Sequence, residues 1–168
     1  MYDYKTVGKS QSYPSRNLDL LHPYVKELVL KFLEECKNDS ILNGYEVKIT
    51  QTLRSIEYQN KLYAQGRTAP GVIVTNSQGG NSMHNYGIAA DFGIFKNGVY
   101  LSGNNSQEYS LYKECGKIAK NIGFIWGGDF KNFPDISHIQ YTGKYDNNTA
   151  LSLLKQGKTV DEVIGVKS

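Results

Sequence analysis

Apolar residues recur along this chain with two different periods. Over 24–36, Val25, Leu28, Val29, Phe32, Leu33 and Cys36 share one face of a repeat of about 3.6 residues, which predicts an amphipathic helix. His22-Pro23 just ahead suits its start, because proline fits the first helical turn. Tyr45 to Thr50 alternates instead, with Val47 and Ile49 on one side, as a strand does. Ser55 can cap a second helix through Ile56, Gln59, Leu62 and Tyr63, closed by Gly66. Ile88 to Phe95 reads as a strand, and Asn97-Gly98 folds it into a hairpin with Val99-Tyr100-Leu101. Helical spacing returns over 107–122 at Tyr112, Cys115, Ile118, Ala119 and Ile122, with Gly123 as terminator. Short strands are expected at 124–126 and 136–141. Two short helices follow at 149–156 and, after a Thr159 cap, at 160–164.

These elements predict an α+β fold, a small antiparallel sheet packed by helices. The 168 residues fit one domain, with a core over about 17–142 and a helical tail at 143–168. Residues 1–17 are polar and are expected to wrap the surface. Residues 66–82, rich in Gly, Ser, Asn and Thr, read as a long loop, and loops of that length are usually functional or mobile. No repeat or low-complexity tract marks off a second domain.

Composition narrows the function classes. An apolar share of 39% and a charged share of 21% are ordinary for a soluble globular protein. The net charge of +3 suits an anionic partner such as cell-wall polymer but is too weak and too evenly spread for nucleic acid. Cys36 and Cys115 each fall in a helical segment and read as buried thiols of a reducing compartment, with pairing across two packed helices left open. No apolar segment follows the N-terminus and none is long enough to span a bilayer. A protein made in the cytoplasm without a signal peptide is therefore expected.

The chemistry concentrates in two places. Ser82 to Asp91 reads S-x-H-x-x-G-x-A-x-D, and Asp135-Ile136-Ser137-His138 follows. His84, Asp91 and His138 give a divalent metal three ligands and leave a fourth position for water, the pattern of hydrolytic zinc sites. Asp91 lies in the apolar run Gly87 to Phe95, where an unpartnered carboxylate is costly, so it calls for a cation or hydrogen bonds. If 136–141 is a strand beside 88–95, Asp91 and His138 can stand side by side, and Gly87 permits the bend that brings in His84. Asp135 at the mouth of that strand can accept the water's proton; as a turn carboxylate after Pro134 it would do nothing. Asp129 competes for that role but resembles a loop residue. Arg54 can hold a substrate carboxylate or an oxyanion, or form a surface ion pair. Gln59 and Ser82 are candidates for substrate contact, and Trp126 for a wall of the cleft or for the core. His22 is read as structural.

With these residues in view the chain resembles the M15-type zinc D,L-peptidases. This group holds D-Ala-D-Ala carboxypeptidases and dipeptidases and the L-alanyl-D-glutamate endopeptidases of phage endolysins. The resemblance is carried by Ser82 to Asp91, by Asp135-x-x-His138-Ile139-Gln140 and by Arg54-Ser55-x-x-x-Gln59, and spans about residues 17–142. It implies zinc on His84, Asp91 and His138, Asp135 as the base, and Arg54 as polariser of the scissile carbonyl. It also implies the fold these enzymes share with the zinc domain of hedgehog proteins. D-Ala-D-Ala enzymes usually carry Glu where this chain has Asp135, so the resemblance leans to the endopeptidases. The implied activity is hydrolysis of the peptidoglycan stem peptide between L-Ala and D-Glu, by a monomer released from the cytoplasm during phage or prophage lysis. The tail is too short for an ordinary wall-binding domain. The rival readings are a D-Ala-D-Ala carboxypeptidase, a wall-binding module with structural zinc, and a hedgehog-type signalling domain.

Overall fold

The computed structural model describes residues 2–7 and 15–166. The expectation for residues 1–17 therefore falls partly outside the described residues. The helices are α1 (Tyr4–Val7), α2 (Pro23–Asn38), α3 (Ile56–Ala64), α4 (Ser106–Ile122), α5 (Asn147–Lys155) and α6 (Val160–Ile164). The strands are β1 (Glu46–Gln51), β2 (Ala89–Lys96), β3 (Val99–Leu101), β4 (Ile125–Trp126) and β5 (His138–Gln140). All pair antiparallel, in the order β1-β2-β5-β4, with β3 hairpinned onto β2.

The central strand β2 has two unlike faces because side chains alternate. Phe92 faces the helix layer, where its ring lies 5.3 Å from Phe32 of α2 and 5.6 Å from Tyr112 of α4. Val25, Val29, Phe32 and Cys36 of α2 are buried there, and burying each large side chain contributes about 1.5–3 kcal/mol. Asp91 points to the opposite face. The sheet thus uses one side for packing and the other for chemistry. The same buried cluster takes in Ala150 and Leu154 of α5 and Val160 and Val163 of α6, so the C-terminal helices share this core.

Local signals account for most boundaries. His22 caps α2 by accepting from the Tyr24 N–H, and its Nε2 lies 2.7 Å from the Asp161 carboxylate, which ties α6 to the start of α2. Asn97 and Gly98, both at positive φ, make the β2–β3 turn. Thr159 and Glu162 form a reciprocal capping box on α6.

One boundary is corrected, and the faces of α3 and the place of Trp126 are now fixed. The strand expected over 136–141 is confined to His138–Gln140. Asp135 Oδ1 accepts from both the N–H and the hydroxyl of Ser137, and this turn takes Ile136 and Ser137 out of the extended form. Helix α3 buries Gln59 completely and leaves Ile56 exposed, the reverse of an apolar inner face. Trp126 is a core residue, 4% exposed, with its indole N–H on the Ile136 carbonyl at 2.8 Å.

Candidate active site

His84 sits in a single 3-10 turn, Met83–Tyr86, that ends on Gly87 at φ 69°. A side chain at Gly87 would strain the backbone and strike the Tyr2 hydroxyl. The turn is stitched to the segment after β1: Arg54 N–H donates to the His84 carbonyl at 3.0 Å, and Asn85 Nδ2 donates to the Arg54 carbonyl at 3.0 Å. Asp91 and His138 are directly opposite partners on β2 and β5. Ladder and turn together bring three ligand atoms to one point.

The geometry is that of a metal site. His84 Nε2 is 3.1 Å from Asp91 Oδ1 and 3.2 Å from His138 Nδ1, and His138 Nδ1 is 3.1 Å from Asp91 Oδ1. Tetrahedral zinc with bonds of about 2.0–2.2 Å holds its ligand atoms about 3.3 Å apart, so a point within bonding distance of all three exists. Among the described residues this is the group of His, Cys, Asp and Glu so arranged.

Neighbouring acceptors select the right tautomers. His84 Nδ1 lies 2.7 Å from the Thr52 carbonyl, which takes its proton and frees Nε2. His138 Nε2 lies 3.0 Å from Gln140 Oε1, which frees Nδ1. Gln140 is held in turn by donating to Asn147 Oδ1 at 2.9 Å. Such outer hydrogen bonds orient ligating imidazoles.

The charges fit as well. Burial alone would raise the Asp91 carboxyl, but His84, His138 and Arg54 outweigh it and hold it well below the usual carboxylate range. Burial, reinforced by Arg54, lowers His84 and keeps it neutral, the form that binds metal. His138 is raised: burial pulls it down, and its contact with Asp91 overcomes that. Asp91 is anionic and acceptor-only: Arg54 pairs with its Oδ2, and its Oδ1 is left facing the two imidazole nitrogens as a ligand atom.

Asp135 lines the same cavity of about 270 Å³ as His84 and His138. Ser137 anchors its Oδ1, and its Oδ2 meets no donor among the described residues. Backbone pairing of Asp135 N–H with the Gly127 carbonyl at 2.9 Å fixes the loop that carries it. Asp129 is exposed and paired with Lys120 at 2.8 Å, away from the cavity walls.

Arg54 is 13% exposed and is spread over three acceptors: Gln51 Oε1 at 2.7 Å, Gln59 Oε1 at 3.3 Å and Asp91 Oδ2 at 2.7 Å. It braces the outer oxygen of Asp91 while lining the cavity. Ser82 lines the cavity; Gln59 and Trp126 do not. Gln59 stands behind Arg54 and donates to the Ser77 carbonyl at 2.7 Å, so it holds the 66–82 loop. Phe130 and Phe133 complete the wall. Neither was marked by spacing in the sequence, whereas Gln140 was, two residues from His138 on the same strand face. Cys36 and Cys115 are both buried free thiols in the helix layer.

Residues 75–141 match the M15 family model described as D-alanyl-D-alanine carboxypeptidase. Over 126 residues the chain is 40% identical to the peptidoglycan L-alanyl-D-glutamate endopeptidase CwlK of Bacillus subtilis, which covers 71% of this chain and 72% of that protein. It is 35% identical over 107 residues to the L-alanyl-D-glutamate peptidase of Listeria phage A118, covering 61% of this chain and 32% of the phage protein. Among solved structures it is similar in fold to the L-Ala D-Glu endopeptidase ChiX of Serratia marcescens. That match has a TM-score of 0.51 and 22% identity, over 76% of this chain and 87% of that one.

Proposed function

The chain belongs to the M15 peptidase family, and on that premise we propose how it cuts the peptidoglycan stem peptide between L-alanine and D-glutamate. The observation that carries the chemistry is the triangle of His84 Nε2, Asp91 Oδ1 and His138 Nδ1, with both tautomers set by neighbouring acceptors. These residues would hold a zinc ion. When bound, zinc supplies Lewis acidity and lowers the pKa of water toward about 7.

The remaining roles belong to side chains. Asp135 takes a proton on Oδ2 from the attacking water and passes it to the leaving amine, while Ser137 keeps Oδ1 in place. Arg54 directs its guanidinium at the developing oxyanion from the shared edge of the cavity. Phe130 and Phe133 shield the reacting bond from bulk water. Ser82 is placed to contact substrate. The enzyme acts on the cell wall as a single chain. No helix among the described residues is long and apolar enough to cross a membrane.

Digestion of purified peptidoglycan, followed by mass spectrometry of the products, tests this reading. The expected products are glycan strands whose peptide stubs end in L-Ala and free peptides beginning with D-Glu, abolished by a chelator and restored by zinc. Release of terminal D-alanine alone would replace the endopeptidase with a carboxypeptidase.

A further inference from the structure

A second cavity, of about 380 Å³, lies across Arg54 from the two imidazoles. It shares Arg54, Val74 and Thr75 with the first cavity, and Asp91 opens into it rather than into the first. The seam between the two therefore coincides with the metal-ligand cluster. A substrate cut at that seam extends into both.

The second cavity owes its chemistry to one extra residue in β1. Ile49 pairs with Phe92 and Gln51 with Asp91, so two residues of β1, Thr50 and Gln51, span one step of β2. A bulge of this kind re-aims side chains. Without it Thr50 would stand opposite Asp91; with it Gln51 does. Gln51 is 9% exposed and lines the cavity. Its Oε1 accepts from Arg54 Nε, but its Nε2 donates to no described residue. A buried amide donor without an acceptor is rare in folded proteins and calls for a ligand.

The charges around it name the ligand class. Arg54 is the one cation among the lining residues. Asp91 is the one anion; its Oδ2 accepts from Arg54 Nη2, and its Oδ1 is turned to the ligand nitrogens of His84 and His138. Around them stand Gln51 Nε2, the hydroxyls of Thr50 and Tyr58 and the Gln65 amide, and of these Gln51 Nε2 is the buried donor that lies beside Arg54.

The geometry points to this cavity as the subsite for a carboxylate-bearing residue next to the scissile bond, with Gln51 Nε2 as its donor. The inference rests on the proposed function, in which the leaving half begins with a γ-linked D-glutamyl residue whose α-carboxylate is free. Gln51 is then a specificity residue that favours the acid over its carboxamide.

Two synthetic peptides, L-Ala-γ-D-Glu-L-Lys and its D-isoglutamine counterpart, test it. The wild type is expected to favour the acid by about tenfold or more in kcat/KM, the worth of one charge-assisted hydrogen bond. Gln51→Glu keeps an acceptor for Arg54 Nε but opposes the ligand carboxylate, so the preference disappears or reverses. Gln51→Met removes the donor without adding charge and lowers the preference toward parity. The product γ-D-Glu-L-Lys, titrated by NMR, should bind the wild type more tightly than either variant. An acid-to-amide ratio unchanged in both variants, or product binding equal across all three proteins, overturns the assignment. Failure of the wild type to cut either peptide would remove the proposed function, and the product titration would still decide the cavity.

Discussion

The metal-ligand cluster and the 66–82 loop above it are held by opposite means. Asp91 and His138 are fixed by a backbone ladder, and His84 by a turn whose carbonyl and N–H groups bond to neighbouring backbone. The loop has almost no ladder. Gln59 holds the Ser77 carbonyl, Asn60 the Gly79 N–H and Asn85 the Gly80 N–H, while Arg67 holds Thr75 and Asn76. Val72, Ile73 and Val74 stand exposed on it. Reaction geometry thus rests on backbone pairing between elements distant in sequence. The substrate's surroundings rest on side chains that can be exchanged one at a time.

The sharpest break of this comparison comes at the ligand cluster. His84→Ala or His138→Ala should abolish both zinc content and turnover, because two ligands do not hold the ion at working concentrations. Metal analysis by mass spectrometry checks this, and a variant with full occupancy contradicts the ligand assignment. Next comes Asp135→Ala. Its turnover should fall by about 10²–10⁴-fold, the usual worth of a general base, with zinc content unchanged. Unaltered turnover would leave the free Oδ2 without a task.

A smaller effect separates ligand from support. Gln140→Leu keeps the volume near His138 but removes the acceptor of its Nε2 proton. Zinc affinity, measured by competition with a chromogenic chelator, should weaken by about 10–100-fold. An affinity equal to the wild type would mean that packing alone orients the ring.

How far the sequence was legible follows the same division. The apolar run around Asp91 and the segment 136–141 that contains His138 foretold two neighbouring strands, and the Asn97-Gly98 pair foretold the hairpin, because both signals are local. The placement of Gln140 beside His138 was readable from the two-residue strand period. The bulge at Thr50 was not, since an extra residue in a ladder leaves no mark on one strand alone. The Thr52 carbonyl that sets the His84 tautomer was invisible for a plainer reason: a backbone oxygen has no letter in the sequence. Gln59 was read as a substrate contact; its place behind Arg54 was not legible, because its partners, Arg54 and the Ser77 carbonyl, lie outside α3. Here Arg54 and the loop carbonyl offered an amide more than Ile56 could gain. Turn formation by Asp135 and Ser137 shortened β5, a case of side chain competing with ladder.

The mildest prediction probes the loop itself. Arg67 is exposed, yet its guanidinium reaches the Tyr63 carbonyl at 2.8 Å, the Thr75 carbonyl at 3.0 Å and Asn76 Oδ1 at 2.9 Å, and it lies 4.1 Å from the Tyr63 ring centre. It clips the loop to the end of α3. Gly66 beside it, at φ 73°, lets the Ile73 backbone approach where a side chain would meet the nitrogen at 2.6 Å. Arg67→Ala removes the clip without touching a ligand, and solvent can replace each lost bond, so opening the loop becomes easier by only about 1 kcal/mol. That corresponds to about fivefold faster cleavage by thermolysin near Val72 to Val74, where β-branched side chains are already exposed. Because Val74 and Thr75 border both cavities, KM should rise with kcat nearly unchanged, and zinc content should stay full. A fall in kcat that matched the fall in kcat/KM would show the loop and the ladder to be one mechanical unit, and the contrast between them would fail.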